Sequence, residues 1–229
     1  MSLSLHPFPL NVNDTEVAAC LDALTDEERV RGKRLRRRDV ARRFIVARCG
    51  LRRVLAEYTG LSPETIRFRV LPYGKPIIDP DQNPCQVSFN LSHSHELGLV
   101  GICWKNDMGV DVEYIDGDRN IMEIASRYFT PEEVVRLNSM DAGPRLIEFY
   151  RIWTLKESWL KATGLGIAGL GLVATARRDR EILTIVEWCR DGSDEEKTYR
   201  PMDWRLFQPA PGYIAAYTRL YSSQIVSMT

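Results

Sequence analysis

The sequence predicts an α+β protein whose chain forms two halves, each with its own helices and strands. Segments in which apolar and polar residues alternate, as in strands, are interleaved with segments whose apolar residues recur every three to four positions, as in helices. With 229 residues, the chain is long enough for two domains of about 100 residues each. A polar turn at residues 105–109 lies near its middle. We therefore predict one half over residues 1–107 and a second over residues 108–229.

The first half is predicted to contain a basic helix. Thr25 and Glu28 have the spacing of a capping box, in which two side chains satisfy backbone groups at a helix N-terminus. Farther along, apolar residues recur at helical spacing, with arginines among the residues between them. We expect this apolar stripe to be buried and the arginines to be exposed. The stripe consists of Val40, Phe44, Ala47, Leu51, Val54 and Tyr58.

Strands are predicted to complete the first half. Residues 66–70 and 87–92 alternate between apolar and polar side chains, and residues 97–104 form a nearly continuous apolar run. Residues 73–76, Tyr-Gly-Lys-Pro, have the composition of a turn.

The second half is predicted to begin with a strand over residues 110–115. Residues 130–133, Thr-Pro-Glu-Glu, give an N-cap, a proline at the first helical position and a glutamate at the third, which together start a helix. A longer helix over residues 148–163 should end at Gly164. Hairpins are predicted around residues 178–179 and 209–212.

The composition excludes several classes of protein. With 44% hydrophobic and 27% charged residues, the chain is neither disordered nor fibrous. No apolar run approaches the roughly 18 residues that a membrane-spanning helix needs, and the first residues do not resemble a signal peptide. The cysteines lack a Cys-x-x-Cys pair, which favours a reducing compartment. We expect a cytoplasmic protein without membrane contact. The cysteines are Cys20, Cys49, Cys85, Cys103 and Cys189.

The net formal charge is zero, but positive charge is concentrated in one segment. Residues 29–53 hold twelve basic residues and one acidic residue, so this segment carries +11 and the rest of the chain −11. The segment is a solvated helix face, a nucleic-acid surface or a site for a phosphorylated ligand. Nucleic acid is disfavoured because aromatic residues are not interleaved with the arginines and the rest of the chain is acidic. A small phosphorylated ligand suits a local patch better.

Two carboxylates occur in the segment 109–113, Gly-Val-Asp-Val-Glu. In a strand, Asp111 and Glu113 project from the face opposite Val110 and Val112, about 7 Å apart along the chain. Mg²⁺ commonly binds through one or two carboxylates together with substrate phosphates, so the pair is a candidate metal site. The alternative interpretation is a pair of solvent-exposed acids.

An acid and a base occur one helical turn apart in the segment 153–161, Trp-Thr-Leu-Lys-Glu-Ser-Trp-Leu-Lys. Glu157 and Lys161 project from the same side of the predicted helix. The alternative is an ordinary surface ion pair. Trp153 and Trp159 indicate that part of this helix is buried, which makes a chemical role for its charges more credible.

Three further patterns carry weaker signals. His93 and His95 could bind zinc, but no cysteine or third histidine lies near them in the sequence. Ser92 lacks the Gly-x-Ser-x-Gly pattern of serine hydrolases. A polar cluster at a strand end is the alternative. Residues 164–169 match the dinucleotide-binding fingerprint, but they follow a predicted helix, whereas that fingerprint follows a strand. No Walker A motif is present, so the chain is not a P-loop ATPase.

In combination and in this order, five segments resemble the 4′-phosphopantetheinyl transferases of the surfactin-synthetase-activating type. The resemblance extends over about residues 29–174. It implies two similar α+β halves related by a pseudo-twofold axis, with the ligand site at their junction. The segments are Tyr-Gly-Lys-Pro at 73–76, Phe-Asn-Leu-Ser-His-Ser at 89–94, Gly-Val-Asp-Val-Glu at 109–113, Arg-Tyr-Phe-Thr-Pro-Glu-Glu at 127–133, and the run from Trp153 to Ile167.

The resemblance also implies an activity. An enzyme of this family moves phosphopantetheine from coenzyme A to a serine of an acyl or peptidyl carrier protein and releases adenosine 3′,5′-bisphosphate. The expected metal is Mg²⁺, with Mn²⁺ as a substitute. The expected partners are coenzyme A and an apo carrier protein, without nucleic acid or membrane, and the protein is expected to be a monomer.

Site residues follow from the same resemblance. Asp111, Glu113 and Glu157 would surround Mg²⁺ on the pyrophosphate of coenzyme A. Glu157 has an alternative role as the base that deprotonates the serine. Lys161 would bind the pyrophosphate, and it would form the catalytic group with Asp111 and Glu157. The contacts to the 3′-phosphate and adenine would come from Arg31, Arg43, Lys75, Ser92 and His93.

The sequence departs from the family at two positions and leaves two other functions open. Glu28 stands where a lysine can occur, and Phe44 stands where a hydroxyl residue can occur. A magnesium-dependent phosphohydrolase or nucleotidyl transferase would use the same three acids. A non-catalytic module that binds coenzyme A or RNA would need only the basic patch.

Overall fold

A computed structural model of the chain describes residues 3–72, 74–164, 166, 173–178, 182–188 and 201–220. The chain divides into two compact units, Met1–Lys105 and Asn106–Thr229. Helices and strands occur in both units. The mixed helix and strand content agrees with the predicted fold class.

A three-stranded antiparallel sheet forms the centre of the N-terminal unit. Its strands are β1 (Ser4–Pro9), β5 (Leu97–Trp104) and β4 (Val87–Ser94), in that order across the sheet. The sequence did not predict β1, because two of its six residues are prolines, which cannot donate a ladder hydrogen bond. Such a strand is tolerated at the sheet edge that it occupies. A separate antiparallel pair joins β2 (Phe68–Val70) to β3 (Pro76–Ile78).

The helices of this unit are α1 (Asp14–Leu21), α2 (Asp26–Arg34) and α3 (Arg38–Thr59). The predicted capping box is confirmed: Glu28 N donates to Thr25 Oγ1, and Thr25 N donates to Glu28 Oε2 at 3.2 Å. Two features differ from the prediction. Helix α1 precedes the capping box, and the basic segment is interrupted between α2 and α3, where the backbone of Leu35 and Arg37 is extended.

Helix α3 packs against β4 and β5. Ala47 and Leu51 of the predicted stripe are buried, whereas Val40 is exposed because it lies in the first turn, ahead of the part of α3 that reaches the core. Not every arginine of the helix is exposed, since Arg52 is only 2% accessible.

The C-terminal unit is also built on an antiparallel sheet. Strands β6 (Asp107–Tyr114), β10 (Tyr213–Leu220) and β9 (Pro201–Phe207) lie in that order, with β10 in the centre. Strands β7 (Val173–Arg178) and β8 (Ile182–Trp188) form a second antiparallel pair. These pairings agree with the predicted hairpins. Within the segments that the sequence analysis used, Tyr73, Leu165, 167–169, Asp179 and Cys189 lie outside the described residues.

Three helices complete this unit: α4 (Ile121–Tyr128), α5 (Pro131–Asn138) and α6 (Ala142–Thr163). The start of α5 is confirmed, because the Thr130 and Glu133 side chains form a capping box. Helix α6 starts six residues before the predicted position. Pro144 lies in the first turn of this helix, where proline is tolerated because its missing N–H is not needed.

Helix α6 packs along β6 and β10 and contributes four buried side chains to the C-terminal core, those of Phe149, Tyr150, Ile152 and Leu155. It ends as predicted, with Gly164 in the left-handed conformation at φ 78°. Among the described helices, none has the length and apolar composition needed to cross a membrane.

Candidate active site

Gly109 allows strand β6 and helix α6 to touch. A Cβ atom at this position would overlap Ser158 O and Ala162 N, and it would lie 2.8 Å from the carbonyl carbon of Lys161. Only glycine fits such a close approach of two backbones. The contact brings the last turns of α6 alongside the strand that carries the predicted carboxylates.

Asp111 and Lys161 form an ion pair between these two elements. Lys161 Nζ donates to Asp111 Oδ1 at 2.6 Å. The Asp111 side chain is buried, while the Lys161 side chain is 28% exposed. The interpretation of Asp111 as a solvent-exposed acid is therefore wrong. Asp111 is covered because α6 packs directly over β6.

Glu113 is held by a tryptophan of the same helix. Trp153 Nε1 donates to Glu113 Oε1 at 3.2 Å. Trp153 itself packs against the C-terminal core, where its ring stacks on that of Phe149. Because Asp111 and Glu113 are two residues apart on β6, they share one face of the strand.

Glu157 lies among these charges in an unusual environment. Its Oε1 atom is buried and has no hydrogen-bond partner within the described part of the chain. Burial, together with the charges of Asp111 and Glu113, raises the pKa of Glu157 to about 7, although the charge of Lys161 acts in the opposite direction. Near neutral pH this carboxyl is therefore poised between its two protonation states.

The donor chemistry of these residues suits a hard divalent cation. Three carboxylates are the ligands that Mg²⁺ prefers, and a cation would supply the partner that Glu157 Oε1 lacks. In the described ranges, however, no three or more acids, histidines or cysteines already converge as a metal site. Lys161 and Trp153 instead contact two of the three carboxylates.

The predicted contacts to the 3′-phosphate and adenine of coenzyme A all lie in the N-terminal unit, whereas Lys161, the predicted pyrophosphate contact, lies in the C-terminal unit. Arg31 is exposed, and its guanidinium carbon lies 5.2 Å from the centroid of the Phe44 ring. Arg43 is half-buried on α3. Phe44 therefore replaces a hydroxyl with an aromatic surface on which an arginine stacks.

The remaining predicted contacts differ in exposure. Lys75 and Ser92 are buried, at 8% and 5% accessibility, whereas His93 is exposed. Ser92 and His93 are successive residues of β4, so their side chains project from opposite faces of the strand.

Glu28, the second position at which the sequence departs from the resemblance, forms ion pairs with two arginines of α3. Its carboxylate accepts hydrogen bonds from Arg48 Nε at 2.7 Å and from Arg52 Nε at 2.6 Å. Arg52 is buried and also donates to the carbonyls of Pro63 and Ile66. At this position the chain carries an internal counter-ion for two arginines.

Comparison with known proteins identifies both units. Residues 11–102 match a family model described as 4′-phosphopantetheinyl transferase, N-terminal, and residues 107–217 match the 4′-phosphopantetheinyl transferase superfamily. The 4′-phosphopantetheinyl transferase HetI of Nostoc is 34% identical over 166 residues, which cover 72% of this chain and 70% of HetI. The chain belongs to the 4′-phosphopantetheinyl transferase superfamily.

Other relatives of this superfamily are similar over a comparable region. A putative 4′-phosphopantetheinyl transferase of Synechocystis is 37% identical over 64% of this chain and 59% of its own length. The 4′-phosphopantetheinyl transferase Sfp of Bacillus subtilis is 29% identical over 70% of this chain and 68% of its own length. The alignment thus spans less than two thirds of the Synechocystis relative. The predicted family is confirmed at the level of the 4′-phosphopantetheinyl transferase superfamily.

Sequence reasoning missed several residues that organise this candidate site. Gly109 was assigned to a turn, although a glycine at the start of a buried strand is itself a signal of close backbone approach. Trp153 was interpreted only as a sign of burial. A buried ion pair between Lys156 Nζ and Glu133 Oε2, 2.7 Å apart, joins α5 to α6 and carries no local sequence signal.

Proposed function

We propose that this chain transfers 4′-phosphopantetheine from coenzyme A to a serine hydroxyl of an apo acyl or peptidyl carrier protein. We place it with the surfactin-synthetase-activating type of the superfamily. In the reaction, the serine oxygen attacks the phosphorus that bears the pantetheine group. The pyrophosphate P–O bond on the other side of that phosphorus breaks, and adenosine 3′,5′-bisphosphate leaves. The serine proton passes to a base.

The observation that carries this proposal is the group formed by Asp111, Glu157 and Lys161. It combines a cation with acids in a largely buried setting, where electrostatic interactions are stronger than in water. Lys161 would donate hydrogen bonds to pyrophosphate oxygens. Its side chain is 28% exposed, which leaves Lys161 accessible to a ligand. Asp111 would hold that ammonium in place.

Asp111, Glu113 and Glu157 would hold Mg²⁺, or Mn²⁺ in its place. When bound, the ion would neutralise negative charge on the pyrophosphate and on the departing bisphosphate. We favour this ligand role for Glu157. The alternative is that Glu157 accepts the serine proton, for which a pKa of about 7 is suitable.

Coenzyme A recognition is assigned to the N-terminal unit, with the ligand site at the junction of two halves related by a pseudo-twofold axis. Arg31 and Arg43 supply positive charge for the 3′-phosphate. Lys75, Ser92 and His93 complete the proposed contacts to the 3′-phosphate and adenine. We further propose a cytoplasmic monomer that uses neither nucleic acid nor membrane.

Mass spectrometry of an apo carrier protein tests the proposal directly. The carrier is incubated with the protein, coenzyme A and Mg²⁺, with Asp111→Asn as the matched variant. We expect the carrier mass to increase by one phosphopantetheine group on its serine, with at least about a 100-fold slower increase for the variant. Hydrolysis of coenzyme A without carrier modification would identify a phosphohydrolase instead. Binding of coenzyme A without any turnover would identify a binding module.

A further inference from the structure

Some of the positive charge in residues 29–53 has no role in the proposed reaction. Of the twelve basic residues in this segment, Arg31 and Arg43 are assigned to coenzyme A. Six others bond to carboxylates or backbone carbonyls of the N-terminal unit itself, which explains their presence structurally. These six are Arg29, Arg37, Arg42, Arg48, Arg52 and Arg53. Four basic residues remain.

Three of the four line one groove in the N-terminal unit. Lys33, Arg36 and Arg38 border a groove of ≈ 530 Å³ between α1, the start of α3 and the chain that joins α2 to α3. Lys33 and Arg36 are exposed, and within the described residues neither side chain takes part in an ion pair or hydrogen bond. Arg38 is 85% exposed and approaches Asp14 only to 3.9 Å. The rim therefore offers two cations, Lys33 and Arg36, that form no ion pair, and a third, Arg38, whose pair with the groove residue Asp14 is long and exposed.

The floor of the same groove is apolar. Val17, Leu21, Leu35 and Ile45 contribute side chains that are only half-buried, and Ala18 lies exposed among them. An exposed apolar patch that is bordered by charged side chains is typical of an interaction site, because a ligand that covers the patch removes apolar surface from water. A helix face that only contacts solvent would explain the exposed arginines, but it would not explain the apolar side chains of the floor. Arg31 and Arg43 do not line the groove, so it is distinct from the proposed coenzyme A contacts.

We propose that this groove binds an acidic amphipathic helix of a partner protein. Such a helix presents apolar side chains at i, i+3, i+4 and i+7 on one face, which would fill the floor. Its flanking carboxylates would meet Lys33, Arg36 and Arg38 on the rim. A phosphate-sized anion would satisfy the rim but leave the floor uncovered. The proposal does not depend on the transferase activity.

A designed peptide provides the probe. The peptide is a fluorescein-labelled helix of about four turns, with leucine at the apolar positions and glutamate at the others. Fluorescence anisotropy with the full chain should show binding that weakens as salt increases. Ala18→Asp places a carboxylate in the floor, while Ala19→Asp makes the same change next to the groove. We expect about a 10-fold weaker Kd for Ala18→Asp and less than about a 2-fold change for Ala19→Asp.

A second pair of variants removes charge without touching the floor. The double substitution Lys33→Gln and Arg36→Gln should weaken binding about 5-fold, whereas Arg34→Gln with Arg37→Gln, outside the groove, should change it by less than about 2-fold. Thermal unfolding of each variant confirms that it is folded. If Ala18→Asp fails to fold, the rim variants alone decide.

Several outcomes would overturn the proposal. These are the absence of peptide binding, equal weakening by both members of each variant pair, and undiminished binding of a peptide whose leucines are replaced by serine. Displacement of the peptide by inorganic phosphate at constant ionic strength would show an anion site only. A dimer of the free chain that Ala18→Asp dissociates would show that a second copy covers the groove.

Discussion

Glu157 is the residue whose role in catalysis is most open to experiment. Its Oε1 atom is buried near two other acids and has no partner among the described residues, so a cation and a proton both compete for it. The Glu157→Gln variant keeps the shape and one oxygen but cannot accept a proton at neutral pH. The variant therefore separates binding of a metal from transfer of a proton.

We expect Glu157→Gln to lower the transfer rate about 10-fold or more at low Mg²⁺. Raising the Mg²⁺ concentration should restore much of the rate, because mass action offsets the weaker metal affinity of the variant. The measurement is the initial rate of carrier modification across a Mg²⁺ titration. Glu132→Gln makes the same chemical change on an exposed part of α5 and should have no effect. A rate that stays low at saturating Mg²⁺ would assign Glu157 as the base.

At the scale of elements, the contact between β6 and α6 sets the geometry of the site. The two backbones approach each other closely at Gly109, and the Asp111–Lys161 pair lies two residues along the strand. A methyl group at residue 109 has only backbone atoms to displace, and these cannot turn away as a side chain would. The helix as a whole would have to move.

Gly109→Ala should consequently lower the free energy of unfolding by about 1–3 kcal/mol or more and should separate Lys161 from Asp111. Thermal unfolding and transfer kinetics measure the two effects. Gly117→Ala is the matched control, because no atom lies within 4 Å of a Cβ at that position. Equal stability of the two variants would show that β6 and α6 are not held this closely in solution.

Glu28 fixes a second contact between elements, that of α2 with α3. Burial disfavours its charged form, but hydrogen bonds and charge from Arg52 and Arg48 outweigh burial and lower the pKa of Glu28. Its pKa in the folded chain is thus below that in the unfolded chain. The resulting stabilisation is complete above the unfolded pKa, near 4.5, and is lost as pH falls through the folded value.

We expect Glu28→Gln to destabilise the protein by about 3 kcal/mol at neutral pH, since the buried Arg52 loses its counter-ion. The difference from the unsubstituted protein should shrink as pH falls from 7 to about 3, because protonation removes the same charge. Unfolding midpoints across this range provide the measurement. The exposed Glu57→Gln serves as control. A difference that does not change with pH would mean that the ion pairs contribute little.

The sequence predicted those elements whose signals are local. The capping boxes at Thr25 and Thr130 and the run at Leu97–Trp104 were located correctly, because caps and apolar patterns depend on nearby residues. Strand β1 was missed because its prolines are acceptable only at a sheet edge, which a sequence does not show.

The same distinction applies to the site. Strand alternation correctly placed Asp111 and Glu113 on one face, but whether α6 covers that face is a tertiary property. The Lys161–Asp111 contact joins residues 50 positions apart, and the buried Lys156–Glu133 pair joins residues 23 apart. Neither separation leaves a periodic signal in the sequence.

At the scale of the whole molecule, the unequal distribution of charge should control recognition of coenzyme A. The chain has no net charge, so a general attraction for anions is weak, and we expect binding to depend on local cations, above all those in residues 29–53. Arg31→Ala and Arg43→Ala should each raise KM for coenzyme A about 10-fold or more, because each removes a charge-assisted contact to the 3′-phosphate.

The same variants should affect 3′-dephospho-coenzyme A much less, since that substrate lacks the group they contact. Arg34→Gln removes the same charge from an exposed position of α2 and should alter KM for the two substrates slightly and equally. Steady-state kinetics at two salt concentrations distinguish a local contact from a general field, because salt screens the field of exposed charges more strongly. If Arg31→Ala raised KM for both substrates by the same factor, the 3′-phosphate would have to be recognised by other residues. The excess positive charge of residues 29–53 would then act only through its long-range electrostatic field.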